Sequence, residues 1–244
     1  AIDKEQLGHA VRGVYGSDKI DADEYLRRFI DLEYSIPEPN IEEYTKYLFN
    51  YFGFDEFYNH KRNSHSSFRY EKTNFLTVFS TLFSINAPSL RIVEKMFSHI
   101  RLVLKSFSED QYSFPELITL LLYIKTFEFD LYKGILHKTY TAQELLNKLD
   151  SLFINVIKEE EKRSLGSCVG RFVFTYCNYI EQSGGKKMVK YDEQESKNYT
   201  DLKLTLNQEQ FEHSFMNINR DFNIDTISLD WILKRINLTE KLKI

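Results

Sequence analysis

The sequence predicts a predominantly α-helical protein, a multi-helix bundle. Four prolines and nine glycines in 244 residues leave few breakers. Apolar residues mostly recur at the helical period, and polar cap residues stand in front of the apolar runs, several with a Glu three positions on.

Each element follows from local signals. Asp3 caps a helix that carries Leu7, Val11 and Val14 on one face and stops at Gly16. Asp21 and Glu24 have the spacing of a capping box for a helix over 25–30. Pro37 and Pro39 keep 32–39 extended. A third helix follows Asn40, clusters Tyr44, Tyr47, Leu48 and Tyr51, and stops near Gly53. Residues 60–67 read as a polar loop, and 68–84 and 89–107 as two long helices divided by Asn86-Ala87-Pro88. Ser113 with Glu116, and Thr141 with Glu144, mark two further capped starts. Beyond Gly166 a strongly apolar helix over 169–180 runs into Ser183-Gly184-Gly185-Lys186-Lys187. From there to residue 205 the chain turns polar and charged, the composition of a mobile loop. The remainder reads as two short helices, the second starting at Ser228 and burying Trp231. The expected organisation is a helical region over 1–110, a continuation of the bundle over 111–182, the polar loop over 183–205 and a small helical segment over 206–244.

Composition removes several function classes. Thirty-two basic against 36 acidic residues give a net charge of -4, so there is no global basic footprint for nucleic acid. A local patch would have to come from Lys61, Arg62 and Arg69, or from Lys186, Lys187 and Lys190. The longest apolar run, 117–124, is far short of the roughly 20 residues a membrane-spanning helix needs. No signal-peptide pattern is present, the expected location is the cytoplasm, and the sequons at Asn198 and Asn237 carry no glycosylation meaning. Cys168 and Cys177 fit neither a CxxC pair nor a zinc knuckle, and read as two buried thiols in one apolar helix. The six histidines are scattered, and the acidic run 18–24 lacks the glycine and final Glu of a calcium loop, so no metal site is expected.

Gly166-Ser167-Cys168-Val169-Gly170 has the GxCxG form of a nucleophile elbow. The charged run 158–163 before it cannot supply the buried strand that such an elbow needs, so no catalytic residue is assigned. Gly184-Gly185-Lys186-Lys187 lacks the first glycine of a phosphate loop and has Lys where Ser or Thr should meet magnesium. The 16 tyrosines and 20 phenylalanines, at helical spacing, are core residues unless they prove exposed together.

A resemblance adds to this reading. Asp3-Lys4-Glu5-Gln6-Leu7, then Tyr15-Gly16, then Asp23-Glu24-Tyr25-Leu26-Arg27-Arg28-Phe29-Ile30-Asp31-Leu32-Glu33-Tyr34 and Ile36-Pro37 resemble the segment that follows the nucleotide-binding core of KAP-family P-loop NTPases. Ser89-Leu90-Arg91-Ile92-Val93-Glu94 is similar to a Ser-Leu-Arg-x-x-Glu helix start further down the same family. Together they cover about the first 110 residues, and nothing after them takes part.

The resemblance implies a lid-like helical domain with a helical C-terminal extension, cut from a parent whose missing N-terminal P-loop core binds ATP and Mg2+. Ala1-Ile2 running straight into a capped helix, without an initiator Met, fits that expectation. Family members are often bacterial and linked to phage exclusion or defence, and some carry membrane segments in the core. This chain contains no phosphate loop or Walker B strand, and alone should neither bind nor hydrolyse ATP. Two residues inherit a nucleotide-sensing role by resemblance. Arg91, at the start of a lid helix, would reach a γ-phosphate, and Asp3 would close the last core strand beside it. The plain alternatives are an Arg91 paired with Glu94 and an Asp3 that only caps its helix. The competing function is a stand-alone helical protein–protein interaction module, with a protein partner or self-association and no nucleotide chemistry.

Overall fold

The structure, a computed structural model, describes residues 4–16, 21, 24–25, 40–58, 68–86, 88–108, 111–222 and 227–241. Among them are twelve helices and one two-stranded sheet, so the predominantly α-helical class expected from the sequence is what forms. Contacts divide the chain into a unit over Ala1–Pro39 and a unit over Asn40–Ile244.

In the first unit, α1 (Lys4–Tyr15) ends at Gly16, whose φ of 62° suits a residue without a Cβ. Asp21 accepts from the Glu24 amide at 3.1 Å, the expected N-cap bond. The Tyr15 and Tyr25 hydroxyls meet at 2.9 Å.

The second unit starts with α2 (Ile41–Tyr51). Asn40 caps it, accepting from the amides of Glu42 and Glu43, and Gly53 at φ 69° separates it from the single turn α3 (Phe54–Phe57). Then come α4 (Glu71–Asn86) and α5 (Leu90–Leu104). Phe49, Phe54, Phe75, Phe79, Phe83 and Phe97 fill the space between these helices, with Phe79 and Phe83 stacked 4.2 Å apart.

α6 (Pro115–Phe127) is buried over most of its length, and α7 (Phe129–Leu136) follows directly. α8 (Ala142–Leu152) has a complete capping box, in which Glu144 accepts from the Thr141 amide at 2.8 Å while Thr141 accepts from the Glu144 amide. α9 (Glu159–Ile180) joins the charged run and the apolar run in one 22-residue helix. It is the hub of the unit, touching α4, α6, α8 and three helices still to come.

Residues 183–205 hold more structure than the polar loop expected from composition. A short helix α10 (Gly184–Lys187) is followed by an antiparallel hairpin, β1 (Lys190–Asp192) with β2 (Lys197–Tyr199), Tyr191 opposite Asn198. Ion pairs of Lys190 with Asp201 and Lys197 with Glu195 satisfy its charges locally. The two C-terminal helices expected from the sequence are α11 (Gln208–Phe222) and α12 (Leu229–Lys241). Trp231 is half-buried and lies edge-on to Phe107 under the Arg235 guanidinium. The Asn237 sequon sits in a helix, and its side chain accepts from the Tyr132 hydroxyl at 3.0 Å.

The glycines of the GxCxG motif have a packing role. A Cβ on Gly166 would lie 3.0 Å from the Asn207 carbonyl oxygen, and one on Gly170 would lie 2.5 Å from that of Phe211. These two positions, one turn apart on α9, let the α11 backbone lie directly against it. Cys168 between them and Cys177 beyond are both free and buried.

Candidate functional site

α5 presents Arg91. Ser89 occupies the N-cap position in extended conformation, and its carbonyl accepts the first helical bond, but its side chain makes no capping bond. Arg91 is exposed in the first turn, which contains no acidic residue, and among the described residues it forms neither the alternative pair with Glu94 nor any other salt bridge. A lone cation there opposes the helix dipole by a few tenths of a kcal/mol, so the position does not stabilise the helix. Asp3 lies outside the described residues.

Glu94, a turn further on, approaches α2. Burial, and then Glu94, raise the Tyr44 hydroxyl above its usual pKa. Tyr44 begins a ladder in which its ring stacks on Tyr47 at 6.0 Å and Tyr47 stacks on Tyr51 at 5.9 Å. Tyr47 is 57% and Tyr51 64% exposed. The spacing that suggested core aromatics thus places part of the set on the outer face of α2. Spacing defines a face; it does not say whether that face is covered.

The other sequence candidates resolve as structure. Gly184 and Gly185 are buried in α10, where the Gly185 amide donates to Asn178 Oδ1 at 2.9 Å. Lys187 pairs with Glu181, and Lys61 and Arg62 lie outside the described residues. Among the described residues no group of His, Cys, Asp and Glu could hold a metal ion, and no helix is long and apolar enough to cross a membrane. A groove of about 710 Å³ between α2 and α4 is lined by hydroxyls such as Thr73, Thr77 and Ser80. Its two lysines, Lys46 and Lys158, are paired with Glu42 and Glu161.

The polar interior was not legible. Ser113 and Glu116 have the spacing of a capping box, yet the N-cap position of α6 belongs to Phe114, in left-handed conformation at φ 48°. The Ser113 amide and hydroxyl donate instead to Glu71 Oε1 at 2.6 and 2.7 Å, and Glu71 is fully buried. Glu116 turns inward, where Arg171 of α9 donates from Nη1 to its Oε1 at 2.6 Å. Burial is the largest single influence on Arg171 and works against its charge, but the attraction and hydrogen bond of Glu116, added to by Tyr112 and Cys168, hold the guanidinium pKa above its usual value. Burial, then Glu116, push the Cys168 thiol and the Tyr112 hydroxyl well up, so both stay neutral. The available clue was a charge beside the apolar run 117–124, too close to it to remain in water.

Compared with models of known families, with curated proteins and with solved structures, the chain matches none.

Proposed function

We propose that this chain is the helical lid and C-terminal extension of a KAP-like P-loop NTPase of the bacterial cytoplasm, coupling ATP binding and hydrolysis in a separate core to a conformational switch of the kind that serves phage exclusion or defence. The observation that carries the reading is Arg91. It stands exposed and without a salt bridge among the described residues, in a first turn where a cation does nothing for the helix, and within the Ser-Leu-Arg start that resembles the family. ATP and Mg2+ would be held by the core; this chain would contribute the Arg91 guanidinium to the γ-phosphate and favour the closed arrangement only while that phosphate is present. Asp3 would sense the same phosphate from the end of the last core strand.

The test uses the gene product that contains this chain together with its nucleotide-binding core. Arg91→Ala is expected to lower ATP turnover at least tenfold with the helical circular dichroism unchanged. Unchanged turnover removes the sensing role, and a whole product that never turns over ATP removes the NTPase reading.

The tyrosine ladder of α2, exposed at Tyr47 and Tyr51, favours a second reading, a helical protein–protein interaction module without nucleotide chemistry. Serine at Tyr47 and Tyr51 would then abolish partner binding or self-association in sedimentation, with Arg91→Ala silent.

A further inference from the structure

α5 is set apart by its charges. Residues 90–105 hold Arg91, Lys95, Arg101 and Lys105 against a single acid, Glu94, in a chain whose net charge is -4. All four cations are exposed, and among the described residues none forms a salt bridge or a side-chain hydrogen bond. Elsewhere helical lysines pair with an acid one turn away, Lys46 with Glu42, Lys133 with Asp130, Lys162 with Glu159 and Lys234 with Asp230. On α5 the same spacing sets like charges together, Arg91 with Lys95 and Arg101 with Lys105, which destabilises a helix. The helix dipole accounts for Arg101 and Lys105 at the C-terminal end, but it opposes Arg91 and has faded at Lys95. An anionic partner accounts for all four.

The apolar side of α5, with Val93, Phe97, Ile100 and Leu104, is committed to the core. Its cationic side runs outward for about 21 Å, with Leu102 56% exposed among the charges. The edge against α2 is marked by residues at helical spacing. Glu94 acts on the Tyr44 hydroxyl, the Phe97 ring lies 6.1 Å from that of Phe52, and Arg101 follows one turn after Phe97. Tyr51 meets Phe52 edge-on at 5.1 Å, so the exposed end of the tyrosine ladder, Tyr47 and Tyr51, borders the Arg101 end of the row. There α12 adds Arg235, its guanidinium 4.8 Å from the centre of the Phe107 ring. Glu94 and Glu43 stand at the other end of the ladder, beside Tyr44.

The surface therefore offers a row of cations and, along its edge, exposed aromatic rings. A membrane-inserting helix would need the apolar side of α5, which is buried. An acidic protein would meet the charges and leave the rings unused, and a double helix keeps its bases stacked inside. A single strand has a phosphate for every nucleotide and bases free to stack. We infer that the α5 row and the α2 ladder together bind single-stranded nucleic acid, with phosphates along Lys95, Arg101 and Lys105 and successive bases on the rings of Tyr47 and Tyr51. The patch is assembled at helical spacing, so a search for basic runs misses it. It is independent of the nucleotide reading, because Arg91 lies at its end and stays unaltered in every variant that tests it.

The test is fluorescence anisotropy of labelled oligo(dT) and oligo(U), about 12 nucleotides long, titrated with the whole chain between about 50 and 200 mM salt. A duplex of equal length and phosphatidylserine–phosphatidylcholine vesicles are the competing partners. At least one single strand is expected to bind saturably at the lower salt with a Kd in the micromolar range. The log–log salt slope should be about -2, three phosphate contacts at about 0.7 each, and the duplex should bind at least tenfold more weakly. Binding of one polymer alone supports the assignment and names the sugar. Alanine at Lys95, Arg101 and Lys105 together should weaken binding at least tenfold and flatten the salt slope. Serine at Tyr47 and Tyr51 should weaken it at least tenfold and leave the slope unchanged, a split that a general loss of structure does not produce. All five positions are exposed, so the helical circular dichroism should not change. No saturable binding of either single strand, a duplex bound as tightly, vesicle binding in place of oligonucleotide binding, or an unaltered affinity in either set of variants would each overturn the assignment.

Discussion

The two halves of the second unit solve the problem of helix packing by opposite means. Between α2, α4 and α5 the space is filled by rings, Phe75, Phe79 and Phe97 meeting within 4.4 to 5.6 Å of one another. Between α9 and α11 the decisive positions carry almost no side chain, and Gly166 and Gly170 admit the facing backbone. The first half keeps helices apart with large volumes, and the second brings backbones together by removing them. Each should therefore fail in the direction that the other tolerates.

Phe79→Ala probes the first half and carries the largest expected effect. Phe79 is fully buried, so its removal should cost about 3–5 kcal/mol, read as a lower urea midpoint with an unchanged slope. A loss under about 1 kcal/mol would mean that the ring cluster collapses freely and does not set the spacing. Gly170→Ala probes the second half in the opposite sense. Alanine gains about 1 kcal/mol over glycine in helix propensity, but its Cβ would lie 2.5 Å from the Phe211 carbonyl oxygen, a backbone atom that moves only with its helix. The net expectation is a loss of about 1–2 kcal/mol from overpacking; a gain would show that α11 shifts without cost.

An alkaline titration sharpens the same contrast with the smallest effect. Burial pushes the Cys177 thiol of α9 from 9.0 up to about 12, and the Tyr123 hydroxyl of α6 from 10.0 up to about 12. In both cases the unfolded chain loses its proton first. The stabilisation is complete below the unfolded value and declines as pH rises towards the folded one. Between pH 9 and 10 the decline should come mainly from the two buried thiols, at most about 1 kcal/mol per group, and Cys177→Ala should remove its share while that of Cys168 stays. Above pH 10 the tyrosines join. If melting curves of wild type and Cys177→Ala coincide over that first interval, the thiol is not held neutral by the packing of α9.

What the sequence revealed and what it concealed divide along the range of the interaction. Asp21, Asn40 and Thr141 were readable because a cap is completed within three residues, and the Asn40 and Thr141 side chains bond the amides expected of them. Gly53 was readable for the same reason. Ser113 and Glu116 obey the same local grammar, but their partners, Glu71 and Arg171, are 42 and 55 positions away, and no local rule can rank a distant buried partner above a nearby amide. The hairpin around Tyr191 was concealed by its charges, since charged residues read as loop whether or not they pair across a turn. At Gly166 and Gly170 the motif itself was visible, and only the facing helix could say that its purpose is close approach. For Arg91 the place at a helix start was legible and the structure adds its exposure, whereas Asp3 rests on resemblance alone.

The buried pair of Glu116 and Arg171 also bears on how the chain reaches this state. Glu116 enters the interior with α6, and Arg171 arrives with α9, after α7 and α8 have intervened. A half-assembled bundle, with α6 docked on α4 and α9 still free, would hold a carboxylate out of water with no cation opposite it. Such a partner-less charge costs several kcal/mol, of the order of a domain's whole stability. The expected consequence is that a half-docked intermediate is disfavoured, so that α4, α6 and α9 close together; a populated refolding intermediate in stopped-flow kinetics would contradict it.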